Sequence, residues 1–234
     1  LKENADFYEH SLKLWESLTQ ELNFNLMFSQ RGVVQLCHSF HDMEGFTNRY
    51  NALRLNGIDS DVLTREQLKA MVPDLNYDSD ARFPITGAVI QRRAGVARHD
   101  AVAWGFSRCA SGLGVDIIEN CEVTDIDVDM NVVTGVRTSK GNVRCDKIGI
   151  CVAGHTSEVA RLAGLKLPIE THLLQAMVTE PVKPFLHTAV ASSALHCYIS
   201  QTDKGELLIG GGICLLYTSP SPRDQRGSGY AEWG

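Results

Sequence analysis

The sequence predicts a mixed α/β (α+β) chain, and three observations predict it. Apolar residues recur at three- and four-residue spacing over residues 4–22 and again after His99, the period of an amphipathic helix. Short β-branched runs alternate with turn residues over 115–152, the grammar of a meander. At 147–157 an apolar run meets Ala153-Gly154-His155-Thr156-Ser157 and then a helical pattern, a strand-to-helix junction.

The elements follow in order. The first helix, 4–22, carries Phe7, Tyr8, Leu12, Trp15, Leu18 and Leu22 as a stripe that must pack on something. A strand over 32–37 precedes a helix over 41–55, stopped by Asn56-Gly57. Thr64-Arg65-Glu66-Gln67 has the form of a capping box: hydroxyl and amide can satisfy backbone donors reciprocally, and Pro73 ends the short helix that follows. Residues 74–84 read as a polar loop. A strand over 87–91 leads to a helix that starts at His99 and runs to about Leu113. Strands are predicted at 115–118, 122–126, 132–136 and 142–145, with a hairpin turn at Ser139-Lys140-Gly141-Asn142, and a buried strand at 147–152. Residues 171–180 and 195–213 read as strands of a second sheet, with a hairpin at Lys204-Gly205.

Bulk properties narrow the function. A net charge of −6, with no basic stripe interleaved with aromatics, argues against a nucleic-acid partner. No apolar run has the length needed to span a bilayer. The 7 cysteines are scattered without a Cys-x-x-Cys pair, which fits reduced thiols and predicts a cytoplasmic protein rather than disulfides or zinc. No nucleophile elbow, metal cluster or paired-carboxylate arrangement emerges. Asp125, Asp127 and Asp129 alternate along one face, but lack the glycine and terminal glutamate of an EF-hand loop.

The richest stretch is Gln91-Arg92-Arg93-Ala94-Gly95-Val96-Ala97-Arg98-His99-Asp100-Ala101-Val102-Ala103-Trp104. A glycine-bearing segment with arginines runs into a helix with His99 at the junction. An imidazole there faces the positive end of the helix dipole, which leaves a ring nitrogen free to bond or ligate; the plainer reading is a helix-start residue bonded to backbone. Arg92, Arg93 and Arg98 suit an anionic phosphate or a reduced flavin. Asp100 either orients His99 or favours the helix start electrostatically, and the second is preferred. Tyr198, on a predicted strand, either contacts substrate or packs on a half-buried surface. His172 and His196 have no partner that sequence identifies.

The same stretch, with Tyr8-Glu9-His10-Ser11-Leu12-Lys13-Leu14-Trp15, Phe28-Ser29-Gln30-Arg31-Gly32-Val33, Leu55-Asn56-Gly57-Ile58-Asp59, Gly114-Val115-Asp116-Ile117-Ile118, Ala153-Gly154-His155 and Tyr198-Ile199-Ser200-Gln201, resembles the β subunits of heterotetrameric sarcosine oxidases. These are FAD-dependent amine oxidoreductases of the D-amino-acid-oxidase type. The likeness runs from about Leu1 to Ile213. It implies an FAD-binding Rossmann-like domain interleaved with an antiparallel-sheet substrate domain, both incomplete here. The implied FAD-binding parts are 1–28 and 91–170; the implied substrate-domain parts are 29–90 and 171–213. The resemblance further implies that His99 carries FMN covalently, that FAD is bound separately against Val123, Ala153 and Gly154, and that the sheet bearing Tyr198 covers the flavin where substrate binds. The implied reaction oxidises sarcosine to an imine. Electrons pass through FAD and FMN to oxygen, giving hydrogen peroxide, glycine and a one-carbon unit on tetrahydrofolate at a partner subunit of a hetero-oligomer. A dimethylglycine- or sarcosine-dehydrogenase-type enzyme and a non-catalytic scaffold subunit are the alternatives.

Cys214-Leu215-Leu216-Tyr217-Thr218-Ser219-Pro220-Ser221-Pro222-Arg223-Asp224 resembles the translation of a transposon-based sequencing adapter, so 214–234 is expected to be a non-native tail. The chain reads as an internal piece of a longer frame, itself expected to be inactive: Leu1 is not an initiator, and the family's Gly-x-Gly-x-x-Gly turn and C-terminal lysine do not occur in it.

Overall fold

The computed structural model describes residues 2–172 and 174–211; the tail 214–234 and the end of the last predicted strand lie outside them. The described residues fall into two compact units, one from Leu1–Gly112 with Leu174–Gly234 and the other from Leu113–Leu173.

The first unit is built on a 7-stranded sheet in the order β2-β3-β1-β8-β9-β10-β7. Its strands are β1 (Val33–Cys37), β2 (Ser60–Thr64), β3 (Gly87–Gln91), β7 (Gln175–Val178), β8 (Ala189–Ser192), β9 (Cys197–Gln201) and β10 (Leu207–Gly211). All neighbours pair antiparallel except β1 with β8, where Val33 lies opposite Ala189 and Leu36 opposite Ser192. Period-2 alternation gives the sheet two faces. Val34, Leu36, Ala88, Ile90 and Val190 point into a core closed by Leu63, Leu68, Val72, Tyr77, Ile85 and Leu186.

The helices of this unit are α1 (Lys2–Glu21), α2 (Phe40–Leu55), α3 (Arg65–Met71) and α4 (His99–Gly112). Ser39 caps α2 by accepting from the Asp42 N–H, while Asp42 accepts from the His38 N–H; at the far end Asn56 is the C-cap and Gly57 has φ +81°. The capping box of α3 forms as its residues predict, with Gln67 N–H donating to the Thr64 hydroxyl and Thr64 N–H donating to Gln67. Leu68 then drops into the core, fully buried. α1 is tied to the segment after β3. Arg93 donates to Glu9 at 2.6 Å and to both carboxylate oxygens of Glu16, and Gln30 donates to Glu16. Trp15 packs on Phe28, but Phe7 and Tyr8 are exposed, so the predicted stripe is covered only in its C-terminal half among the described residues.

The second unit is a 3-stranded meander, β4 (Val123–Asp129), β5 (Val132–Thr138) and β6 (Gly141–Arg144), with a 3-10 turn at Ala153–His155 and α5 (Thr156–Leu162). Buried Ile126 of β4 and buried Ala160 of α5 form its small interior.

Several expectations are corrected. Residues 115–118 and 147–152 form no strand, because no described strand lies beside either to complete a ladder; Cys151 and Val152 are exposed. β2 and β8 are strands that local pattern did not reveal. Asp125 and Asp127 are not predicted to form an EF-hand site, and both carboxylates pair with Arg137, at 2.6 and 2.9 Å.

Candidate functional site

A cavity of about 510 Å3 lies on the sheet face opposite the core. That size falls within the roughly 300–1,000 Å3 of small-molecule sites. The pleat that sends Val34, Val190 and Ile199 inward sends Val33, Ala191 and Tyr198 to this face; Ala191 pairs with Tyr198 as Val190 does with Ile199. Val33, Ala189, Ala191 and Leu208 supply a mostly apolar floor.

The start of α4 forms one wall. Ser29 and Val96 exchange backbone hydrogen bonds at 2.8 and 3.0 Å, and Gly32 N–H donates to Ala94. The chains approach so closely that a Cβ on Gly95 would collide with the Ser29 carbonyl oxygen, so this position needs glycine. Further along α4, a Cβ on Gly105 would lie 2.7 Å from Leu26 Cδ2, so the helix seats directly on buried Leu26. His99 is held between these two close approaches as the first residue of α4. Its ring is exposed, lines the cavity and makes no hydrogen bond to a described residue.

The arginines do something other than expected. Arg92 pairs with Asp61 at 2.9 Å and Arg93 with Glu9 and Glu16, so both already have carboxylate partners on other elements. Arg98 lines the cavity but grips Asp100 through two nitrogens, 2.9 and 3.1 Å. Asp100 also accepts the Ala101 N–H at 2.8 Å, so it serves the helix start and not the His99 ring. Burial pushes its carboxyl upward, but the Ala101 N–H and the Arg98 guanidinium outweigh this and hold it below the usual range.

The β9–β10 hairpin forms the other wall. Its turn has Gly205 at φ +91°, as the Lys204-Gly205 pair predicts. Buried Gln201 fastens it: the side-chain oxygen accepts from Phe185 and Leu186 N–H, and the amide donates to Gly205, Lys183 and Val182 carbonyls. Arg31 pairs with Asp203 and also donates to the Gln201 carbonyl. Tyr198 and Ser200 face the cavity from β9. The Tyr198 hydroxyl makes no hydrogen bond to a described residue.

Thus His99 and Tyr198, singled out separately in the sequence, line one cavity. Val123, Ala153 and Gly154 belong to the second unit and are exposed on it. Ala153 has φ +47°, and threonine hydroxyls close its turn: Thr156 donates to the Ala153 carbonyl and Thr171 to that of Gly154. The exposed His172 and His196 hold no part of the cavity. Gln201 and Gly210 were missed by sequence reading. The hairpin register alone gives Gly210, since counting equally from Lys204 sets it opposite Tyr198.

The profile of the family described as FAD dependent oxidoreductase matches residues 1–229. The chain belongs to this family. It is 52% identical over 210 residues to sarcosine oxidase subunit beta of Rhizobium meliloti (strain 1021), covering 90% of this chain and 50% of that one. To sarcosine oxidase subunit beta of Arthrobacter sp it is 48% identical, covering 90% and 52%. The chain therefore spans about half the length of these relatives. Among solved structures, L-proline dehydrogenase from P. horikoshii superposes with a TM-score of 0.76 at 24% identity, over 87% of this chain and 54% of that one, which establishes a shared fold. No helix among the described residues is long and apolar enough to cross a membrane.

Proposed function

We propose that the whole protein oxidises sarcosine, or a close N-methyl amine, as the flavin-bearing subunit of a hetero-oligomer. In this reading α1, α4 and the second unit belong to the FAD-binding domain, and the large sheet is the substrate domain. Val123, Ala153 and Gly154 face a non-covalent FAD, and His99 carries FMN through a ring nitrogen. When bound, the flavins would supply the redox chemistry of amine oxidation, with oxygen as the final acceptor and hydrogen peroxide as its product. The one-carbon unit passes to tetrahydrofolate on a partner subunit.

The observation that carries the reading is the single cavity shared by His99 and Tyr198. The chain's own residues fit a covalent flavin. The His99 ring spends no hydrogen bond within the described residues, stands exposed at a helix start and is fixed by Gly95 and Gly105 against drifting from its target. Its role is that of a tether. Tyr198 donates its free hydroxyl to the substrate carboxylate, while its ring and the apolar floor exclude water from the reacting carbon. Similarity to two sarcosine oxidase β subunits supports the choice of substrate.

The test uses the full-length protein made with its partner subunits. Acid precipitation of the wild type should leave a yellow pellet with flavin bound. His99→Ala should release FMN and leave FAD extractable as before. A colourless wild-type pellet, or a His99→Ala pellet that keeps its flavin, overturns the assignment. Sarcosine turnover without peroxide would move the protein to the dehydrogenase class.

A further inference from the structure

We propose that Gly210 is a positioning residue for Tyr198: its bare Cα is the bed on which the phenol rests. The inference deepens the reading of Tyr198 as the substrate-carboxylate contact and rests on it. Tyr198 and Gly210 are directly paired across the β9–β10 ladder. A Cβ built on Gly210 would fall among the ring's far atoms, Cζ and Cε1, and the hydroxyl oxygen. The hydroxyl end of the ring therefore lies over Gly210, in space that any side chain would take.

Backbone conformation does not explain glycine here. Gly210 is absent from the positive-φ residues, so alanine can adopt its geometry without strain. A strand interior disfavours glycine, because glycine loses more freedom on folding and offers no side chain to pack. Neighbouring Gly211, by contrast, has open space where its Cβ would stand. What distinguishes Gly210 is the aromatic ring folded across it, a cross-strand pair in which the tyrosine covers the missing side chain. The ring is thereby laid along the sheet on the cavity face, and its hydroxyl is carried towards β10. With a methyl group at 210, the ring must rotate away from the sheet and take its hydroxyl with it.

The prediction is a split between binding and turnover. In the full-length enzyme with its partner subunits, Gly210→Ala should raise KM for sarcosine roughly tenfold or more, the scale of one lost hydrogen bond to a charged group. Flavin content should be unchanged and kcat altered far less than KM. Tyr198→Phe should raise KM similarly. Adding Gly210→Ala to Tyr198→Phe should change KM by less than about twofold, since the hydroxyl it would displace is already gone.

If Gly210→Ala acts equally in both backgrounds, or leaves KM unchanged while Tyr198→Phe raises it, the positioning role is wrong and the substrate contact stands. If Tyr198→Phe leaves KM unchanged, the substrate contact is wrong and Gly210 falls with it. Should Gly210→Ala fail to fold, adding Tyr198→Ala must restore folding, because it removes the obstruction; no rescue overturns the proposal.

Discussion

Replacing Gln201 with methionine tests how the hairpin wall of the cavity is held. Gln201 is 4% exposed and makes side-chain hydrogen bonds to Phe185 and Leu186 N–H (2.8 and 3.0 Å) and to Gly205, Lys183 and Val182 carbonyls (3.0, 3.2 and 3.4 Å). These five contacts do not count equally. The Gly205 carbonyl keeps a second donor, Val182 N–H at 3.0 Å, and exposed Lys183 and Val182 can turn to water. Phe185 is 42% exposed, so its amide also reaches water. Leu186 is 6% exposed, and its N–H is left orphaned at a cost of about 1–3 kcal/mol. With a smaller loss from the other contacts and a partial offset from burying an apolar chain, the net cost is about 2–3 kcal/mol. Because the chain has more than one unit, a local probe is better than a global melt. Hydrogen exchange of the peptide covering 182–187 should speed up roughly thirty- to 160-fold, while peptides from the second unit stay as they were. Unchanged protection at Leu186 would refute the hydrogen-bond accounting.

Two further perturbations test the junction between β1 and α2. The His38 N–H holds the Asp42 carboxyl below its usual range; burial opposes this, and the Ser39 contacts reinforce it. A depressed folded value contributes stability above the unfolded value of about 4, lost as pH falls through the folded one. Asp42→Asn should therefore destabilise at neutral pH, with the gap to wild type closing as pH falls below about 4; a gap constant from pH 7 to pH 3 would contradict the assignment. Burial, helped by the Asp42 charge, pushes the Cys37 thiol up to about 11. At pH 8 only about one molecule in a thousand would be thiolate, so alkylation followed by mass spectrometry should mark exposed Cys151 and spare Cys37 until denaturant is added. Equal labelling in the native state would refute it.

What was legible in the sequence was what neighbouring residues decide. The Thr64–Gln67 capping box, the Asn56-Gly57 stop and the Lys204-Gly205 turn each depend on a few adjacent side chains. Residues 115–118 and 147–152 have the apolar, β-branched character of strands, but a strand also needs a neighbour, which no local pattern supplies. β8 was missed for the complementary reason: Ala-Val-Ala-Ser is unremarkable alone and becomes a strand by lying beside β1. The arginines repeat the lesson. Arg92 and Arg93 looked available in their own run, while their partners Asp61, Glu9 and Glu16 lie on distant elements. His99 and Tyr198 were both recognisable, but their common cavity comes from strand order and pleat.

The parallel pairing of β1 with β8 sets a schedule for assembly. β1, β2 and β3 are made early and pair locally, yet β1 keeps one ladder edge unsatisfied until Ala189–Ser192 emerges. The whole of the second unit is translated in between. That edge can be completed only across a long loop of intervening chain, the kind of non-local pairing that is entropically costly to close and leaves a strand edge exposed until it does.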